Sequence, residues 1–219
     1  MEILLIGSGS RVKSAIDVVH AAGEHRVSGI VDDTLKPGDT VFNVPVIGPV
    51  DDLSSILAQM GIKHVLLVIA DIGVRMNAAQ RITSLTPDLL FISAVHPSAY
   101  IGRDVSLGTG TLVMPGAVIE AGSTIGEHVV IGAHVSIGAD GHIGSFVSVG
   151  AGAVVAEACS VGSGTSIGIQ AGLIKGIVVG THCAIGMGAM VLESVPDLHV
   201  AVGSPAKCVR TRLVGEPYF

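Results

Sequence analysis

From Ile101 onward an aliphatic side chain recurs at every sixth position. It runs through Leu107, Val113, Ile119, Ile125, Ile131, Ile137, Ile143, Val149, Val155, Val161, Ile167, Leu173, Val179 and Ile185 to Val191, without insertion or slip. A helix repeats its apolar face every 3.6 residues and a strand every second residue, so neither explains a period of six. A solenoid coil of three short strands does, because each flat side sends one side chain inward per six residues. Gly follows many of these plugs, as at Gly102, Gly108, Gly126, Gly132 and Gly138, where a Cβ is expected to obstruct a tight corner. Two residues before each plug the side chain is usually small or β-branched, as at Ala99, Val105, Thr111, Ala117 and Ser123. The C-terminal part therefore reads as a parallel β-helix of hexapeptide repeats.

Ahead of Ile101 the pattern changes. Residues 3–6 form a buried-type strand, followed by Gly7-Ser8-Gly9-Ser10-Arg11 and a helical stretch through Val19 and His20. Residues 27–31 are a second strand ending at Asp32-Asp33, 44–48 a short strand or loop, and 51–60 a helix. Then 64–70 is a strongly apolar strand, 73–85 a helix and 89–93 a last strand. Strands alternating with helices imply a parallel sheet with right-handed crossovers. The expected fold class is α/β plus all-β. A small Rossmann-like parallel-sheet domain covers 1–95, and the β-helix with a C-terminal tail covers 96–219. His96-Pro97 marks the junction, because Pro disfavours helix at the residue before it. Val195-Pro196 opens the tail.

Thirty glycines beside 14% charged residues would suit a flexible linker protein. Most of them fall within the hexads and so read as turn residues of a packed structure. Aromatic residues make up 3% with no Trp, which suits a narrow prism filled by Ile, Val and Leu. A net charge of −6 argues against nucleic acid as partner, where a basic surface is expected. No secretory signal precedes the first strand, and three cysteines, an odd number, point to a reducing compartment. A cytoplasmic location is expected. Cys159 and Cys183 fall on different sides of the prism, so no disulfide joins them. The apolar segment 176–192 keeps the six-residue period, so it reads as β-helix rather than membrane span.

Small parallel sheets bind ligands beyond the carboxyl ends of their strands. Gly7 and Gly9 fall there, at a helix N-terminus able to receive an anion such as a diphosphate; a tight strand–helix turn alone explains them equally well. Asp32 and Asp33 end the neighbouring strand, where a carboxylate accepts hydrogen bonds from a sugar or ribose hydroxyl. A dinucleotide fingerprint needs a third Gly where Val12 stands, which argues against NAD.

The loop Gly7-Ser8-Gly9, Asp32-Asp33, His96-Pro97-Ser98-Ala99, the hexads and the terminal Val195-Pro196 and Gly203-Ser204-Pro205-Ala206-Lys207 together resemble the NeuD/PglD-like sugar acetyltransferases. The resemblance implies a left-handed β-helix and a homotrimer with active sites in the grooves between adjacent β-helices. It implies acetyl-CoA as co-substrate along the later coils and tail, contacted by Gly168, Gly186, Gly203, Pro205, Ala206 and Lys207. It also implies a UDP-linked amino sugar held by Gly7, Gly9, Ser10, Arg11, Asp32 and Asp33. Where the family continues its glycines with Gly-His, this chain has Ser10-Arg11. Arg11 supplies a charged fork to a phosphate or lies on the surface.

Acetyl transfer from a thioester to an amine needs the amine neutral, so a general base is useful. The family places a His two residues after one plug. Aligned on Ile143-Gly144-Ser145-Phe146-Val147, that position is Ala139 in Ile137-Gly138-Ala139-Asp140-Gly141. Three accounts follow. His142 or His134 substitutes as the base. Alternatively, the amine loses its proton to water or to the departing sulfur while Asp140 orients it, so that positioning supplies most of the catalysis. Or the chain has kept the fold and lost the reaction. No metal is expected, since His128 and His182 share a column but stand three coils apart, roughly 14 Å, too far for one Zn²⁺. The reading is an acetyl-CoA-dependent acetyltransferase acting on the amine of a nucleotide-linked amino sugar in surface glycan synthesis. The alternative is a non-catalytic trimer that binds nucleotide sugar or CoA as a regulator or scaffold.

Overall fold

Strand β1 (Glu2–Ile6) is apolar at every position after Glu2, and Ile3, Leu4, Leu5 and Ile6 are all buried. A strand buried on both faces needs cover on both. Helix α1 (Arg11–Ala22) brings Val12, Ala15, Val18 and Val19 to one face. Helices α2 (Leu53–Met60) and α3 (Ile72–Leu85) bring Leu53, Ile56, Leu57, Ala79 and Ile82 to the other. The computed structural model describes residues 1–7 and 9–218; Ser8 of the glycine loop and Phe219 lie outside the described residues. The sheet order is β3 (Thr40–Val41), β4 (Val44–Gly48), β2 (Arg26–Val31), β1, β5 (His64–Leu67) and β6 (Leu90–Phe91). All neighbours are parallel except β3 and β4. From β1 the chain builds outward to β2 and β4, then returns to the other side of β1 as β5. That reversal opens a crevice at the carboxyl ends of β1 and β5. Gly7 takes φ +112° there, and a Cβ on it would lie 2.8 Å from Ile69 Cγ1.

The aliphatic plugs stack into three parallel sheets of a left-handed β-helix. In the sheet that faces the first domain, Val95, Val113, Ile131, Val149, Ile167 and Ile185 follow one another at 18-residue steps. All but the half-buried Val95 are buried, and they join those of the other two sheets in one continuous core. The chain enters this solenoid already at Ala94–Val95, which pairs with Leu112–Val113. Ser93 fastens the entry, its hydroxyl donating to the Gly108 carbonyl at 3.0 Å and accepting from the Thr111 amide at 3.1 Å. The apolar run expected over 89–93 is therefore divided, with only Leu90–Phe91 in the first sheet. Ala94, Leu112 and Val130 face outward from the β-helix into the core beneath α1, so the two halves share apolar cover. Cys159 and Cys183 are buried and unbonded to each other. Among the described residues, no helix is long and apolar enough to cross a membrane.

The corners obey two separate constraints. After the plug Ile137 the next coil passes so close that a Cβ on Gly138 would lie 2.6 Å from the Glu157 amide nitrogen. Two residues further on, the chain takes a left-handed conformation, often without Gly: His128, His134, Asp140, Phe146 and His182 have φ between +52° and +62°. An L-residue pays roughly 1–2 kcal/mol for that conformation. One corner column alternates small and large residues coil by coil, as Gly116, His134, Gly152, Gln170 and Gly188. A Cβ on Gly116 would lie 2.5 Å from His134 Nδ1. In this column each long side chain thus leans over a glycine of the preceding coil.

The domains are joined by polar groups as well as apolar cover. Arg75 of α3 is 1% exposed. Its Nη1 donates to the carbonyls of Ile69 (2.8 Å) and Ala70 (3.2 Å), and its Nη2 to the Phe146 carbonyl (3.0 Å) and Ser148 Oγ (2.9 Å). Beside it His128 lies between Phe91, edge-on at 4.6 Å, and Phe146, stacked at 4.9 Å. Burial, assisted by the Arg75 charge, lowers the His128 imidazole from 6.5 to about 4.

Two expectations follow. Gly110 (φ +73°) faces His128, whereas a Cβ on Gly176 (φ +76°) meets nothing within 4 Å. Gly176→Ala should cost about 1–2 kcal/mol and Gly110→Ala clearly more, as read by thermal unfolding; equal losses would exclude the His128 contact as the cause. His128 stays neutral in the folded state, while the unfolded chain gains a proton below its ordinary pKa. Stability should therefore fall as pH drops from about 6.5 to about 4, by up to roughly 3 kcal/mol. Urea titrations of His128→Gln should show a shallower loss over that window than the parent.

Candidate functional site

The crevice above β1 and β5 opens as a cavity of about 490 Å³, lined by Gly7, Gly9, Asp32, Asp33, Asn77 and Arg81 among others. A Cβ on Gly9 would meet nothing within 4 Å, so packing within the chain does not demand glycine there. Ser10 stands at the N-cap of α1 without a side-chain cap bond, leaving the positive end of that helix directed toward the crevice. Asp32 is buried, and its Oδ1 accepts from the Thr34 amide (2.8 Å), the Thr34 hydroxyl (2.5 Å) and the Leu35 amide (2.9 Å). It shapes the turn that walls the cavity. Asp33 Oδ1 accepts from the Val50 amide at 2.8 Å, and its Oδ2 pairs with Arg81 at 3.2 Å. Arg81 is held from its other side by Asp51. Both carboxylates therefore have work within the fold, which adjacency in the sequence does not reveal.

A second cavity, about 380 Å³, lies where the two domains meet. Arg11 and Ala70 line it from the first domain, and Ala70 also lines the crevice, so the two spaces share a wall. Arg11 Nη1 approaches the carbonyls of Ile69 (3.2 Å) and Ala70 (3.4 Å), the pair that Arg75 also uses. Burial lowers the Arg11 pKa, and burial together with Arg11 brings Arg75 down to about 9. The β-helix supplies Ser148, Ser166, Gly168 and Met187. Pro217 and Tyr218 of the tail close the remaining side. The Tyr218 hydroxyl donates to the Gly164 carbonyl, and the Arg212 guanidinium lies 3.7 Å above its ring. Burial raises the Tyr218 pKa.

The other residues singled out in the sequence are distributed more widely. Gly186 supports the hairpin of His199–Gly203 and Ala206–Thr211, since a Cβ on it would lie 2.8 Å from Val202 Cγ1. Gly203 takes φ +98° where the first strand of that hairpin ends, and Pro205 stands exposed in the turn. Ala206 and Lys207 border a smaller hollow of about 260 Å³, with Lys207 Nζ 3.7 Å from Glu193 Oε1. Asp140 and His142 flank one corner and are exposed. His134 is also exposed but occupies a different corner, with the strand Ser136–Ile137 between them. None of the three lines the crevice or the junction cavity. The Ala139 amide donates to Glu120 Oε2 at 3.0 Å. His128 and His182 share a corner column, and among the described residues no three His, Cys, Asp or Glu side chains could hold a metal ion. Arg75, Asp71 and Tyr218 were not legible as site residues. Asp71 carries an N-cap signal, whereas Arg75 and Tyr218 are brought in by long-range packing.

Residues 104–139 match the family model described as bacterial transferase hexapeptide (six repeats). Comparison with curated protein sequences gave no match. Among solved structures, the chain is similar to a histidine-to-asparagine variant of perosamine N-acetyltransferase from Caulobacter crescentus in complex with CoA and GDP-perosamine. Identity is 30% and the TM-score 0.90, over 96% of this chain and 97% of that one. The acetyltransferase domain of PglB from Neisseria gonorrhoeae, in complex with acetyl coenzyme A, is 25% identical with a TM-score of 0.86 over 95% and 98%. WeeI from Acinetobacter baumannii shares the fold at 23% identity and a TM-score of 0.78, over 95% and 100%.

Proposed function

The chain belongs to the NeuD/PglD-like sugar N-acetyltransferases, and from that premise we propose how its two cavities divide one reaction between them. It is an acetyl-CoA-dependent acetyltransferase that acylates the amine of a nucleotide-linked amino sugar. The observation that carries this reading is the shared wall at Ala70. It joins a crevice of nucleotide-binding type to a cavity bounded by the β-helix. The nucleotide lies in the crevice, with its diphosphate over Gly7 and Gly9 at the start of α1. Arg11 faces the diphosphate and directs the sugar into the junction cavity. The thioester enters from the opposite side, along Gly168 and Met187. The later coils and the Ala206–Thr211 strand carry the rest of CoA, with Gly186, Gly203, Pro205, Ala206 and Lys207 as its candidate contacts.

The reaction is direct attack by the amine on the thioester carbonyl. Asp140 and His142 lie away from the junction cavity within one chain, so they contribute only where another copy brings its corner to that cavity. The proposed homotrimer has a suitable face. On the second sheet of the β-helix, Tyr100, Val154 and Met190 point outward and are 61%, 48% and 44% exposed, flanked by exposed Ile174 and Leu192. A second copy covering these side chains removes apolar surface from water. The nucleotide is proposed to be UDP, by resemblance to the family, with GDP as its direct competitor because the Caulobacter relative carries GDP-perosamine. Use of acetyl-CoA and the unpaired cysteines support a cytoplasmic setting.

The deciding experiment is thiol release from acetyl-CoA with a panel of UDP- and GDP-linked amino sugars. Release that depends on one sugar is expected. Arg11→Ala should then raise the KM for that sugar roughly tenfold, the loss of one charge-assisted contact, and leave the KM for acetyl-CoA unchanged. If CoA binds and no sugar elicits thiol release, the chain is a non-catalytic binding homologue. Sedimentation should give three copies, and Val154→Asp should dissociate them.

A further inference from the structure

Arg11 is not alone among polar groups in the junction cavity. Ser148 and Ser166 come from the β-helix, Tyr218 from the tail and Asp71 from the turn that starts α3. Among the described residues lining the cavity, Asp71 is the one carboxylate. Its Oδ1 accepts from the Val74 amide at 2.9 Å and so caps α3, while the side chain remains exposed. The titratable groups around it are Arg11 of α1, Arg75 of its own helix and Tyr218 of the tail. A carboxylate on this wall offers the released proton an acceptor within reach. Resting on the acetyltransferase reading, we propose that Asp71 is a catalytic residue that receives the amino group of the acceptor sugar in the junction cavity and takes its proton.

The proton acceptor then comes from the first domain, not from the coil where Ala139 stands. The sugar ammonium gives one proton to the Asp71 carboxylate. The neutral nitrogen attacks the thioester carbonyl carbon, forming the C–N bond. The C–S bond breaks and its electron pair leaves on sulfur. The nitrogen sheds a second proton, and the thiolate takes one back from the Asp71 carboxyl or from water. One ammonium and one thioester yield one amide, one thiol and one proton released to solvent.

Asp71→Asn separates chemistry from folding, because Asn retains the oxygen that caps α3. With the sugar that supports turnover, Asp71→Asn should lower kcat/KM about 100-fold. The KM for acetyl-CoA should stay within twofold, and Asp71→Glu should restore part of the rate. Calorimetry with GDP-perosamine near pH 6, where the amine is charged, gives a readout that does not require turnover, and Asp71→Asn should bind about tenfold more weakly. A variant with kcat/KM within threefold of the parent overturns the proposal, as does equal affinity for GDP-perosamine. A parent that binds GDP-perosamine yet turns over no sugar defeats the acetyltransferase reading and the proton transfer with it, and the binding comparison then decides whether Asp71 receives the amino group. A parent that neither binds nor turns over any of the sugars overturns both.

Discussion

The Arg75 guanidinium gives two hydrogen bonds to the carbonyls that follow β5 and two to the β-helix, and the geometry of the junction cavity depends on that bridge. Ala70, one acceptor, is the shared wall of both cavities; Ser148, another, is part of the floor of the second. Burying a cation is costly, and among the described residues no carboxylate forms an ion pair with Arg75. Four oxygen acceptors offset part of that cost, and with a pKa of about 9 the group stays charged at neutral pH. A lysine has neither the planar fork nor the reach to satisfy both sides at once. The domains are thus tied together by this one side chain and by the apolar cover of Ala94, Leu112 and Val130.

Charge is arranged with some economy around this bridge. Arg11 and Arg75 share the same two carbonyls from different helices, which brings two positive groups to the end of β5. The crevice on one side is open to a diphosphate at a helix N-terminus. On the other side, serine hydroxyls, a phenol and a carboxylate face a space of about 380 Å³. A diphosphate and an amine have opposite electrostatic needs, and in the proposed reaction both would be met within the loops that follow β1 and β5.

The β-helix was legible because its constraint acts on single residues at a fixed spacing, so the pattern survives in one dimension. Val95, six residues before Ile101, carries the same period, which is why the first coil begins there. The corner conformations were not legible. His134, Asp140 and Phe146 all adopt positive φ, and what makes room for each is a neighbouring coil 18 residues away, not its own chemistry. The place of Gly7, Gly9, Asp32 and Asp33 beside the crevice followed from their position after strands, although Asp32 and Asp33 also hold the surrounding turns together. Arg75 reads locally as an ordinary helix charge. Only the coil around Phe146 and Ser148, more than seventy residues on, turns it into a buried joint.

The alternation along the corner that carries Gly116, His134, Gly152, Gln170 and Gly188 bears on how such a solenoid changes length. Removing one 18-residue coil preserves the hexad register and the plugs, yet it sets two glycines or two long side chains one above the other. Removing two coils leaves the alternation intact. At this corner the unit of growth or loss is 36 residues, twice the unit that the backbone hydrogen bonds would allow, so relatives of different length should differ by even numbers of coils wherever this column is kept.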